Sequence, residues 1–225
     1  MKRKHLPLIA TASALLLMGG GVFTAETFIT SRIEARIKSE LPKASGVNVT
    51  IPLGDIPQNL TSRSIKSARI DIDKYALKGS NAESSMVISL SKVSKSKPTI
   101  VGSLDVTATI PAATILQSAE FSDAQIVGNT LQVSAGVSGL GKAILIPKFS
   151  GNQIYFELKG ISIFGSEIPA SSLPADVQNQ IKDKSVRELN VPKGLKLKSV
   201  SLSSKGLSVN LRGTNIQLGK LGSSL

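Results

Sequence analysis

Residues 100–110 read IVGSLDVTATI. In this run Leu104, Val106, Ala108 and Ile110 occupy every second position, and polar residues lie between them. Because successive side chains of a strand point to opposite faces, this spacing predicts a strand with one apolar face. Long strands of this one-sided kind are typical of a large antiparallel sheet.

The same two-residue period recurs along most of the chain after Pro42. It occupies residues 47–51, 68–73, 86–90, 125–137, 143–163 and 195–218. Two of these regions contain a turn signal, Gly128-Asn129 in one and Ser150-Gly151-Asn152 in the other, which predicts two hairpins. The chain is therefore expected to be built mainly from antiparallel strands.

Two short helices interrupt the strands. Pro111 suits the first turn of a helix, and the residues after it predict a short helical piece over 112–116. A second helix is predicted over 175–189, where Val177, Ile181 and Leu189 form a weak apolar stripe.

The N-terminus has the charge pattern of a membrane segment. Three basic residues and a histidine, Lys2 to His5, precede twenty uncharged residues, Leu6 to Ala25. A helix of that length spans about 30 Å, the thickness of a bilayer core. Basic residues before the segment favour a cytoplasmic N-terminus with residues 26–225 as one extracytoplasmic domain. A cleaved signal peptide is the alternative, although its cleavage sites are poor because Phe23 precedes Ala25 by two positions.

An amphipathic helix is predicted directly after this segment and ends at Pro42, because a residue before proline avoids the helical region. Apolar residues recur every four positions, and charged residues occupy the other faces. The apolar stripe consists of Phe28, Ile29, Ile33, Ile37 and Leu41. Such a stripe either packs on its own domain or faces lipid, and the pattern is compatible with both.

Composition limits the classes of partner. The net charge is +12, which attracts anionic lipid headgroups or acidic polymers. Nucleic acid is disfavoured, because six Phe, two Tyr and no Trp are too few aromatic residues for a base-stacking platform. No cysteine is present, which excludes disulfides and thiolate metal sites.

The sequence offers little catalytic chemistry. His5 is the only histidine and precedes the predicted membrane segment, so a histidine triad or histidine metal cluster in the exported domain is excluded. Asp71 and Asp73 share one face of a predicted strand, but their alternation with Ile70 and Ile72 indicates a solvated face. We therefore expect a protein that is not an enzyme and that has neither a cofactor nor a metal.

One stretch near the C-terminus resembles a known family. Residues 191–200 read VPKGLKLKSV and residues 206–209 read GLSV. They resemble the closing signature of the LmeA family of bacterial phospholipid-binding proteins. The layout is similar over residues 26–218, with residue matches mainly in 191–209. Residues 54–60, GDIPQNL, depart from the pattern of that family.

The resemblance implies an α+β fold in which a strongly curved antiparallel sheet wraps an amphipathic helix, as in tubular lipid-binding half-barrels. It implies an apolar groove for acyl chains and a role in the bacterial envelope, in the assembly or transport of anionic phospholipids or lipomannan-type glycolipids. The candidate groove residues are Phe28, Ile29, Ile33, Ile37, Val177 and Ile181. The candidate contacts to an anionic headgroup are Lys193, Lys196 and Lys198, for which a solvated basic surface is the simpler interpretation.

Two functions remain open at this point. In the first, the chain is a lipid-binding or lipid-transfer module held beside its source membrane. In the second, it is an envelope scaffold whose basic surface binds acidic cell-wall polymers or a partner protein. The first requires an apolar cavity that the protein's own side chains leave open, and the second does not.

Overall fold

The computed structural model of the chain describes residues 5–6, 44–52, 62–76, 83–94, 96, 98–118, 123–135, 141–189 and 191–217. These residues form mostly antiparallel strands with few helices, as predicted. The strands are β1 (His5–Leu6), β2 (Ser45–Thr50), β3 (Ser64–Ala76), β4 (Glu83–Ser94), β5 (Ile100–Pro111), β6 (Gln125–Val127), β7 (Thr130–Ala135), β8 (Gly141–Ser150), β9 (Gln153–Ile163), β10 (Ser166–Pro169), β11 (Arg187–Leu189), β12 (Lys196–Ser203) and β13 (Gly206–Gln217). The helices are α1 (Ala112–Ser118), a 3-10 turn (Ala170–Ser172) and α2 (Ala175–Ser185).

The strands form two open sheets. One has six strands in the order β12-β13-β5-β4-β3-β2. The other has seven, in the order β1-β11-β9-β8-β7-β6, with β10 paired to β9 off this path. Each sheet ends in two edge strands, so neither closes into a barrel.

The chain divides into two compact units. The first contains the whole seven-stranded sheet and both α-helices, and its core includes Leu131, Val133, Leu145 and Leu158. The second contains β2, β3, β4 and most of β5. The alternation predicted for residues 100–110 is confirmed, because Leu104, Val106, Ala108 and Ile110 are all buried.

Both predicted hairpins are present in the seven-stranded sheet. Strand β6 pairs with β7 through Val127 and Thr130, and β8 pairs with β9 through Ser150 and Gln153. Gly128 and Gly151 adopt φ values of 61° and 55° at the turns, in the left-handed region that glycine tolerates without strain.

Gly206 marks a close backbone approach at the start of β13. The amide of Ala112 donates to the carbonyl oxygen of Lys205 at 3.2 Å. A Cβ atom at Gly206 would overlap the carbonyl oxygen of Ile110. The glycine in the sequence Lys205-Gly206-Leu207 is therefore required by packing.

The second predicted helix is shorter than expected. It was predicted over 175–189, but α2 ends at Ser185, and Val186 adopts an extended conformation with ψ of 127°. Leu189 lies in β11, where its amide donates to the carbonyl oxygen of Asn152 at 2.8 Å. Pairing with the sheet satisfies this buried backbone group and ends the helix before the apolar stripe is complete.

The N-terminal predictions lie largely outside the described residues. Residues 7–25 and the amphipathic helix predicted over 26–41 fall there, so the sheet curvature and the wrapped helix stay predictions. His5 and Leu6 pair in parallel with Glu188 and Leu189. A segment crossing a membrane from Leu6 would hold His5 on the opposite side from β11, so this pairing and the spanning arrangement are alternatives. In the described part of the chain, the helices are too short or too polar to cross a bilayer.

Candidate functional site

The six-stranded sheet has one continuous aliphatic surface in the second unit. Cross-strand pairing places Ile70 opposite Ile88 and Ile72 opposite Met86. Leu104 and Val106 of β5 are also buried. We call this surface the aliphatic face and define it by Ile70, Ile72, Met86, Ile88, Leu104 and Val106. Aliphatic side chains in contact across neighbouring strands are the lining that acyl chains require.

Two hydroxyl groups interrupt the aliphatic face at one end. Tyr75 pairs across the strands with Ser84, and each residue is 1% exposed. Neither hydroxyl has a hydrogen-bond partner of normal geometry. Burial raises the pKa of Tyr75 well above its ordinary value, and the nearby Ser84 hydroxyl opposes part of that rise. A buried hydroxyl without a hydrogen bond of normal geometry destabilises the fold by about 1–3 kcal/mol, so this pair is a costly feature of the sheet.

Tyr75 is not predicted as a buried residue by the sequence pattern, because the strand period changes before it. Unbroken alternation from Ile70 and Ile72 would place Tyr75 on the opposite face, with Asp71 and Asp73. A bulge between Ile72 and Tyr75 shifts the register by one residue and turns the tyrosine to the aliphatic face. The local sequence contains no signal that identifies this bulge.

The opposite face of the same sheet is polar. Arg69 donates to Asp71 through Nε and Nη2 at 2.8 to 3.0 Å, and this carboxylate raises the pKa of Arg69. Arg212 donates through Nε to Asp105 at 2.8 Å, and Asn210 donates to the Thr107 hydroxyl at 3.0 Å. The solvated face predicted for Asp71 and Asp73 is confirmed, since both side chains lie outside the core.

A groove of about 330 Å³ opens on this polar face. It is lined by Thr50, Pro52, Ser67, Ala68, Arg69, Ser89, Leu90, Ser91, Ser103 and Asp105. Its polar groups are mostly hydroxyls, and Arg69, which is bound to Asp71, is its only basic residue. The groove therefore combines apolar surface with hydroxyl groups, and its only apolar side chains are those of Pro52, Ala68 and Leu90.

The helix α2 packs on β9 through a face that carries both polar and apolar side chains. Gln178 donates to the carbonyl oxygens of Ala170 and Leu173 at 2.8 and 3.2 Å. The Ser185 hydroxyl accepts from the Phe156 amide at 2.8 Å and is close enough to Lys182 to donate to its carbonyl oxygen at 2.9 Å. Ile181 lies on the same side of the helix and is half-buried.

Of the predicted groove residues, Ile181 is the one whose side chain the structure describes. Ile181 belongs to the first unit, whereas the aliphatic face belongs to the second. The side chain of Val177 lies outside the described part of the structure, as do Phe28, Ile29, Ile33 and Ile37. Their predicted contact with lipid stays a prediction.

The three lysines proposed for a headgroup are all exposed. Lys193 lies in the turn before β12, and Lys196 and Lys198 lie two residues apart on that strand. Leu195 and Leu197, which alternate with them, are buried. The lysines thus project from a strand that is fixed by its apolar neighbours, as a surface contact with an anionic group requires. The contact itself stays a prediction.

Within the described ranges, no three His, Asp or Glu side chains lie close enough together to hold a metal ion.

The model of one known protein family matches most of the chain. The model of a family described as LmeA-like phospholipid-binding matches residues 20–212. No curated protein and no solved structure matches the chain. The matched region includes β2 to β12 and most of β13.

We predict that Tyr75→Phe leaves the free energy of unfolding at neutral pH unchanged or raises it by about 1 kcal/mol, because it removes a buried hydroxyl without a partner. The raised pKa means that the folded state favours the neutral phenol. The contribution of Tyr75 ionisation to the free energy of unfolding should therefore be constant below about pH 10. Above that pH the wild-type protein should lose up to about 1.4 kcal/mol per pH unit. Urea unfolding at several pH values measures both effects.

Tyr155→Phe is the control, because Tyr155 is the only other tyrosine. Its ring lies 4.9 Å from the Lys182 ammonium and is preserved in phenylalanine. This variant should keep the alkaline loss of stability, and Tyr75→Phe should reduce it. A loss of several kcal/mol in Tyr75→Phe at neutral pH would show that the hydroxyl has a partner after all.

Proposed function

Because the chain belongs to the LmeA-like phospholipid-binding family, we propose that it binds a phospholipid with the acyl chains against the aliphatic face of the six-stranded sheet. The observation that carries this proposal is the match over residues 20–212. The pairs Ile70–Ile88 and Ile72–Met86 support the location, because they present adjacent aliphatic side chains across neighbouring strands.

The energetics of acyl-chain binding favour this face over the polar groove. Each buried methylene contributes about 0.8 kcal/mol, so a long acyl chain gains several kcal/mol from an aliphatic surface. The groove on the opposite face has only Pro52, Ala68 and Leu90 as apolar side chains, so we expect a smaller gain there. The aliphatic face is buried in the structure. The open cavity that lipid binding requires would therefore form there only when acyl chains replace contacts within the protein. We place the predicted helix over 26–41, with the sheet curved around it, on this side.

The headgroup is anionic in this proposal. Lys193, Lys196 and Lys198 are exposed, and the whole chain carries a net charge of +12. Lysines near an anionic membrane surface contribute about 1 kcal/mol each, so three lysines are enough to favour anionic over neutral phospholipid.

The proposed cellular role is in the bacterial envelope. We place the domain outside the cytoplasm, held at the membrane by residues 6–25 in the arrangement that is the alternative to the pairing of β1 with β11, or released if that segment is cleaved. There it would support the assembly or transport of anionic phospholipids or lipomannan-type glycolipids without catalysing a reaction. The charge pattern of the N-terminus and the scarcity of catalytic residue types support this role.

The first test is native mass spectrometry with lipid extraction on the full chain, purified in a mild detergent. We expect one phospholipid per chain. A phospholipid with a photoactivatable group on its acyl chain should then crosslink to peptides from β3, β4 and β5. The method needs no destabilising substitution in the core, which makes it suitable for a buried site.

Crosslinks confined to the α2 peptide would move the acyl chains away from the aliphatic face. A chain that carries no phospholipid, and that takes none from anionic vesicles, would contradict phospholipid binding and favour the envelope scaffold.

Charge reversal at Lys193, Lys196 and Lys198 to Glu should slow the uptake of a fluorescent phospholipid from phosphatidylglycerol vesicles by about tenfold or more at low salt. The difference from wild type should shrink as salt is added. Reversal of Lys148, Lys159 and Lys205, which are also exposed, is the matched control. Equal slowing by both sets would assign the effect to net charge alone.

The proposed anchor is tested by fractionation of cells that express the full chain with a C-terminal tag. An uncleaved anchor predicts that the chain stays in membranes washed with alkaline carbonate and that an external protease removes the tag after the outer layers are opened. Recovery of the chain in the cytosol would overturn both the anchor and the extracytoplasmic location.

A further inference from the structure

The turn between β9 and β10 exposes an aromatic side chain. Ile163 pairs with Ser166, and the two residues between them are Phe164 and Gly165. Phe164 is 84% exposed, the highest value among the exposed large apolar side chains in the described residues, and Ile163 beside it is 38% exposed. The tip of this hairpin, defined as Ile163 and Phe164, is thus an apolar projection into solvent.

The backbone at this position does not favour phenylalanine. Phe164 has φ of 51° and Gly165 has φ of 82°, so both central residues of the turn are left-handed, as in a type I′ turn. Such turns prefer Asn-Gly, and a bulky residue with positive φ is strained. Neither core packing nor local conformation therefore explains the aromatic residue at this site.

The charges behind the tip are balanced. Ser162, the residue before the tip, pairs with Lys142 on β8 and with Glu167 on β10. Both side chains are exposed. The tip thus lies next to one cation and one anion, and attraction to an anionic surface comes from the net charge of +12 on the whole chain.

We propose that the hairpin tip inserts Phe164 into the interfacial region of an anionic phospholipid bilayer. This inference rests on the proposed function, because a protein that binds phospholipid must meet the bilayer that contains it. Two side chains are too small an apolar surface for a stable protein interface, which buries about 1,200–2,000 Å². Transfer of one phenylalanine into an apolar phase is nevertheless enough to raise surface affinity by about tenfold or more.

The absence of tryptophan from the chain permits a direct test. In the full-length Phe164→Trp variant, all tryptophan emission comes from the tip. Vesicles of phosphatidylglycerol with a brominated phosphatidylcholine should shift this emission to shorter wavelength and quench it. Phe149→Trp is the control, because Phe149 is 40% exposed and pairs with Ile154 at the other end of β9. Its emission should be quenched much less.

Emission that is unchanged in Phe164→Trp, or quenched equally in both variants, would overturn the inference. Lipid extraction from the same samples separates this failure from failure of the proposed function. Bound phospholipid with an unquenched indole would contradict insertion of the tip alone. Absence of phospholipid from every sample would contradict the proposed function.

A second variant tests whether Phe164 has a structural role instead. Phe164→Asn creates the Asn-Gly pair that a type I′ turn prefers, so the melting temperature should stay equal or rise. The uptake of fluorescent phospholipid from phosphatidylglycerol vesicles should slow by about tenfold. A lower melting temperature with an unchanged rate of uptake would assign Phe164 to folding and overturn the inference.

Discussion

The burial of aliphatic side chains across β3, β4 and β5 is the interaction on which the second unit depends. Ile70 meets Ile88 and Ile72 meets Met86 only in the observed register. A slip of one residue would turn Arg69 and Asp71 to the buried side, because side chains alternate with a period of two. The same register presents hydroxyls and ion pairs on the other face. The strand register therefore places aliphatic side chains on one face of the sheet and polar side chains on the other.

The charged groups on the polar face contribute little to stability. The Arg69–Asp71 and Arg212–Asp105 pairs are partly exposed, and ion pairs of this kind are worth about 0–1 kcal/mol. In these pairs, Asp71 neutralises the charge of Arg69, and Asp105 neutralises the charge of Arg212. The excess of positive charge is then carried by unrelated surface lysines, such as Lys196 and Lys198 on β12. In the proposed function, attraction to anionic lipid would come from those lysines and from the net charge of the whole chain, with little contribution from the groove.

Two sites, the Tyr75–Ser84 pair and Phe164, oppose ordinary folding preferences. Tyr75 and Ser84 are polar groups buried without hydrogen bonds of normal geometry, and Phe164 is an apolar group exposed on a left-handed backbone. Each lowers the stability of the empty protein, and natural sequences keep such features chiefly where function requires them. The tip of the β9–β10 hairpin has a clear physical use at a bilayer. The hydroxyl pair defines a polar point on an otherwise aliphatic surface.

The sequence by itself determined the strand-rich class, the hairpins at Gly128-Asn129 and Gly151-Asn152, and the family, through the signature in residues 191–209. These features depend on local alternation, turn chemistry and residue identity, all of which are visible in a linear pattern. Tertiary structure alone decided the bulge that turns Tyr75 inward and the end of α2 at Ser185. It also decided the exposure of Phe164. These outcomes depend on which strand lies alongside, because backbone groups must find partners and side chains must find neighbours far away in sequence.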